Sequence, residues 1–155
     1  DALVRAIDGD PWHGSSIGVL LRDVTADEAQ ATPVAGAHAI WALVLHLTAW
    51  SDEVARRLDG APPAEPRARD WPPVPSRADA DAWAAACGAL RAANAAAIAA
   101  LDRCPDDRLV AQVGEGRDPA LGSGVTHAAM VAGLAQHHAY HGGQIALLRR
   151  AMAAG

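Results

Sequence analysis

The sequence predicts an all-α fold, a four-helix bundle with a long Pro-rich crossover between the second and third main helices. Three observations carry that prediction. Strong helix formers, alanine above all, dominate the composition, and β-branched residues are scarce. Apolar residues recur at helical spacing in three long segments, roughly 37–58, 76–102 and 125–153. Between the first two, residues 60–75 hold six of the ten prolines, whose fixed φ and missing N–H exclude a regular helix or a central strand. A connection of that length can run along a bundle. The 155 residues suit a single domain, 1–155, with a core large enough to fold alone.

The elements follow in order. Residues 1–8 and roughly 14–23 form a first helix interrupted around Gly9-Asp10-Pro11-Trp12-His13-Gly14, where a proline and two glycines break the backbone. Ile17, Leu20, Leu21 and Val24 supply its apolar face. Thr25-Ala26-Asp27-Glu28 is a helix start, an N-cap followed by an acidic first turn, for a short helix ending before Pro33. The second main helix runs from about Ala37 to Leu58, with Ile40, Leu43, Val44, Leu47, Trp50, Val54 and Leu58 in one stripe and His46 inside it. Gly60 ends it. Trp71 is the anchor of the crossover onto the body. Ser76 with Asp79 reads as a capping box using Asp for Glu. The third helix then runs to about Asp102, with Trp83, Cys87, Leu90, Asn94, Ile98 and Leu101 on one face. After a loop carrying Pro105, Gly114, Gly116, Pro119, Gly122 and Gly124, the last helix spans roughly Val125 to Ala153.

Composition narrows the function classes. The formal charge is −5, every positive side chain is an Arg, and these are scattered rather than striped among aromatics. Nucleic-acid binding has little electrostatic support. Cys87 and Cys104 are too few and too far apart for a disulfide framework or a Cys-based zinc site; Cys87 is expected as a small core residue. No apolar run of membrane-spanning length is read, and the N-terminus lacks a basic-then-apolar signal pattern, so no membrane partner and a cytoplasmic location are expected.

The chemistry concentrates in His137-His138-Ala139-Tyr140-His141-Gly142-Gly143-Gln144. Met130, Leu134, Ile145, Leu148 and Met152 mark one helix face, and His137 and His141 fall in the gap of that stripe. Imidazoles four residues apart project from the same side of a helix, and burying two bases is costly unless something binds them. A divalent metal is the simplest partner. A third ligand is needed, because catalytic zinc-type sites use three protein ligands and an open position. His46, alone among the other histidines in the centre of a long apolar stripe, is the candidate. Three neutral imidazoles suit Zn²⁺, Ni²⁺, Co²⁺ or Fe²⁺, with Zn²⁺ and Ni²⁺ foremost.

Other residues take lesser places. Gln144, one turn on, either orients a ligand or a metal-bound water or is a helix-interior polar residue satisfied by backbone. His138 lies on an adjacent face and is expected to meet solvent or an interface. His13 either lines the mouth of the site or is solvated, and His38 and His127 are ranked below it. The tryptophans at 41, 50, 71 and 83 are core and crossover anchors rather than a cofactor box. No Glu follows the first His, which disfavours an H-E-x-x-H protease.

Three stretches together resemble the DinB-like family, also called DinB/YfiT-like proteins. They are Ile40-Trp41-Ala42-Leu43-Val44-Leu45-His46, Asp70-Trp71-Pro72-Pro73, and His137-x-x-Tyr140-His141-x-Gly143-Gln144-Ile145, with Trp12-His13-Gly14 recurring in a subgroup. The resemblance covers nearly the whole chain. It implies a four-helix bundle that binds a divalent metal through three histidines, carried over to His46, His137 and His141, and it implies frequent homodimers. Characterised relatives include S-transferases using low-molecular-weight thiols such as bacillithiol, and a mycothiol-dependent isomerase. The family name comes from a DNA-damage-inducible gene rather than from DNA binding. Ala132 departs from a common pattern in which a His or polar residue stands there. The expectation is a metal-dependent thiol S-transferase acting on a small thiol and an electrophile. A metal-dependent hydrolase or a non-catalytic, metal-binding stress-response bundle is the alternative.

Overall fold

A computed structural model describes residues 2–154. The protein is all-α: seven helices and no strand among the described residues. They are α1 (Ala2–Asp8), α2 (Ile17–Leu21), α3 (Ala26–Gln30), α4 (Ile40–Leu58), α5 (Ala80–Arg103), α6 (Asp106–Val110) and α7 (His127–Ala153). Three are long, and α4 makes the most extensive packing of them. It packs against α5 most extensively, then α7 and α3, while α1 and α2 lie against α7 and α1 also reaches α5.

Several local expectations hold. The N-terminal helix is broken where Pro11 stands, giving α1 and α2. Thr25 caps α3 in a full capping box, its hydroxyl accepting from the Glu28 amide while the Glu28 carboxylate accepts from the Thr25 amide at 2.8 Å. Others are corrected. The cap of α5 is Asp79, which accepts from the Ala82 amide at 2.7 Å, and not Ser76. Residues 106–110, expected as loop, form a single-turn helix in which Pro105 takes the N-cap position and Asp106 and Asp107 meet the positive end of the helix dipole. Cys87 is half-buried rather than a core residue. Helix α5 is, by length and composition, apolar enough to cross a membrane, contrary to the expectation that no such run occurs. Its apolarity is mostly alanine, and it buries Trp83, Ala86, Leu90, Ala93, Ala97 and Ala100.

Helix α4 carries more burial than one stripe. Besides Ile40, Leu43, Val44, Leu47, Val54 and Leu58, it buries Ser51, Glu53 and Arg57. An i,i+4 Glu–Arg pair ordinarily reads as a solvated face. Here the polar groups are enclosed because the crossover lies over them. Arg57 Nε donates to Glu53 Oε1 at 2.6 Å, Nη1 to the Leu121 carbonyl at 2.7 Å, and Nη2 to the Ala64 carbonyl at 2.9 Å. The Ala64 amide donates back to Glu53 Oε1 at 3.2 Å. Burial alone would raise the Glu53 carboxyl, but the hydrogen bonds from Arg56, Arg57 and Ala64 overcome this and leave it below its ordinary pKa. This ion pair pins two loops, 61–79 and 111–126, to the central helix.

Removing one partner strands the other charge in the interior. Arg57→Ala is expected to lower the unfolding free energy in urea by about 3–5 kcal/mol, the usual range for breaking a buried pair. A loss under about 1 kcal/mol, typical of surface pairs, would show that the pair is not buried in solution.

Candidate metal centre

Helix periodicity supplies two members of the site and helix packing supplies the third. His137 and His141 stand one turn apart on α7, and His46 faces them from the middle of α4. The ligand atoms of the three all lie within 4.8 Å of one another, and the group is capable of holding a metal ion. His137 Nε2 is 2.8 Å from His46 Nε2 and 2.9 Å from His141 Nε2. The rings meet nearly at right angles, at 75°, 79° and 80°, so their edges rather than their faces converge.

The outward nitrogens decide what the inward ones can do. His46 Nδ1 is 2.7 Å from the Asp70 backbone carbonyl, and His141 Nδ1 is 2.6 Å from Gln144 Oε1. Carbonyl oxygens only accept, so both Nδ1 atoms carry the proton and both Nε2 atoms of the neutral rings present lone pairs inward. This is the arrangement in which ligating histidines are held by their outer partners. The His137 pKa is lowered to about 3, by burial first and then by the three neighbouring histidines. His137 is therefore a poor proton acceptor near neutrality. The donor set fits a divalent cation of the borderline class.

The crossover completes the mount. The Asp70 carboxylate accepts from the Trp50 indole N–H at 2.6 Å and lies 3.2 Å from His46 Nδ1. Trp71 stacks on His46 with ring centroids 4.0 Å apart and planes 6° apart, and it also stacks on His38 at 3.7 Å. Trp71 is thus the expected anchor, and what it anchors to is the site itself.

The sequence-predicted residues divide clearly. His46, His137 and His141 come together, and Gln144 sits on His141. His13 is exposed and lines a separate groove of about 620 Å³ with Leu20, Gly142 and Arg149, a groove that none of the three imidazoles lines. His127 bonds the Ala111 carbonyl at the start of α7. His138 is corrected: it is neither at solvent nor at an interface but 0 % exposed. Its Nε2 lies 3.2 Å from Ser51 Oγ, whose hydroxyl donates to the Leu47 carbonyl at 2.8 Å. With that proton committed, His138 donates to Ser51 and ties α7 to α4 beside the cluster. Asp70 and His38 were not singled out as site residues by sequence reasoning. The signal for Asp70 is its place next to Trp71, the only aromatic in the crossover.

Two outcomes are expected. Burial lowers His137 to about 3 and His138 to about 4, against an ordinary 6.5. Between those values the unfolded chain binds more protons than the folded one, so stability falls as pH drops below about 6.5. Calorimetry of metal-free protein from pH 7.5 to 4.5 should show the melting temperature falling steadily, and a flat profile would contradict the burial of these rings. Gln144→Ala should weaken divalent-metal affinity about 10–100-fold, the usual effect of removing an outer partner of a ligating histidine, as measured by chelator competition.

The family profile of the DinB superfamily matches residues 16–145. Searches among curated proteins and solved structures give no match. The matched span includes His46, His137, His141 and the crossover that mounts them, and the chain belongs to the DinB superfamily.

Proposed function

We propose that this protein is a metal-dependent enzyme of the low-molecular-weight-thiol S-transferase type, its ion held by His46, His137 and His141. One observation carries the reading: the cluster has three imidazole donors among the described residues, the ligand count of catalytic rather than structural centres. Zn²⁺ or Ni²⁺ is the ion that three imidazoles favour. An ion held by the three histidines would supply Lewis acidity, the chemistry that lowers a thiol's pKa and favours its nucleophilic thiolate form. The chain's own residues orient. Asp70 and Gln144 keep the Nδ1 protons outward and the Nε2 lone pairs inward. Trp71 covers the His46 face and restricts water there.

In this reading α1 with α2 serves as the fourth rod of a four-helix bundle beside α4, α5 and α7. The exposed Tyr140 and Leu147 of α7 are the apolar surface that a homodimer would bury, and the cytoplasm is the compartment that supplies the thiol.

The test begins with metal analysis of untagged protein, expected to give about one divalent ion per chain, with His46→Ala losing it. Monochlorobimane is then offered with bacillithiol, mycothiol, glutathione or coenzyme A, with metal-dependent conjugation by at least one expected. Bound metal without conjugation by any thiol would instead favour hydrolysis or a non-catalytic role.

A further inference from the structure

A cleft of about 200 Å³ opens beside His137, and it differs in kind from the wider grooves. Trp50, Val54, Met130 and Leu134 give it apolar sides, and one of the three clustered imidazoles is set into its wall. Its one charged lining residue is Arg57, and that charge is already used. All three guanidinium nitrogens donate, to Glu53, Leu121 and Ala64, and the group lies 5.7 Å over the Trp50 ring. An anion entering the cleft would find each guanidinium nitrogen already engaged through one N–H, the group itself buried, and its positive charge already paired with Glu53. An apolar space of roughly this size suits a single ring, since apolar cavities of about 150 Å³ hold benzene.

Gly133 keeps the cleft open. It sits inside α7, where glycine is the poorest helix former after proline. A Cβ built there meets nothing within 4 Å, so a side chain at this position enters open space.

We propose that this cleft is a binding site for a small, uncharged aryl or short alkyl group, and that it selects substrates carrying such a group next to the three-histidine centre. As a statement about substrate, this rests on the thiol-transfer reading; as a binding site, it stands apart from it. Trp50 and Met130 provide the contact surface, Met130 with the adaptability of an unbranched thioether. Gly133 sets the size limit.

The experiment uses fluorobenzene as probe, followed by ¹⁹F NMR on the zinc-loaded and cobalt-loaded protein. Saturable binding is expected, with extra line broadening in the cobalt form because the cleft adjoins His137. Fluorobenzoate should bind at least tenfold more weakly. Gly133→Leu should weaken fluorobenzene binding at least tenfold, while Gly133→Ala should retain it. Both variants should keep the wild-type metal content and melt no lower than wild type, since each removes a helix-interior glycine. The proposal is overturned if wild type does not bind fluorobenzene, if Gly133→Leu binds it equally, if cobalt leaves the line unchanged, or if fluorobenzoate binds better. Fluorobenzene binding without thiol conjugation would remove the thiol-transfer reading and leave the cleft as an apolar site.

Discussion

Three imidazole nitrogens turned toward one another, with two of their lone pairs fixed inward, set the terms for the rest of this structure. Such a cluster shares at most the one Nε2 proton that His137 can carry, and burial opposes adding a second proton to that ring. It persists only where the surrounding chain over-determines it. The backbone carbonyl of Asp70 and the side chain of Gln144 fix two of the rings, Trp71 lies flat on one of them, and His138 clasps Ser51 across the helix interface. The Glu53–Arg57 pair then holds the crossover that delivers Asp70 and Trp71. Gln144 lies one turn from its ligand His141, whereas Asp70 and Trp71 reach His46 from a segment distant in sequence.

Much of this was legible in the residues alone. The His137/His141 pair is visible because a four-residue interval on a helix is a spatial adjacency. His46 is visible because it interrupts a long apolar stripe at its centre. The helical segments follow from periodicity, and the break near Pro11 and the absence of a helix between α4 and α5 follow from proline chemistry. Where cap assignment failed, two acceptable capping residues stood three positions apart, and the choice of Asp79 over Ser76 depends on how the crossover enters the helix. Helix α6 is one turn long, which is too short for any periodicity to register.

The deeper misses share one cause. Reading a helix as one buried stripe and one wet face works for a helix on the surface, and α4 is enclosed by α3, α5, α7 and the crossover. Glu53 and Arg57 therefore look solvent-facing by type and spacing while being buried in fact. His138 was misplaced for the same reason on α7, whose buried side is wider than its apolar stripe. Polar residues become interior when a distant segment covers them, and that coverage is not written locally.

The sequence separation of 91 between His46 and His137 gives the cluster a further consequence. An ion shared by the two would cross-link most of the chain, and the unfolded ensemble, lacking the preformed site, would hold it far less well. Conformational stability then becomes a function of free-metal activity: an ion at about 100 times its dissociation constant adds about 2.7 kcal/mol by mass action. A strong chelator would act on this protein as a mild denaturant, and its abundance in a cell would follow metal supply.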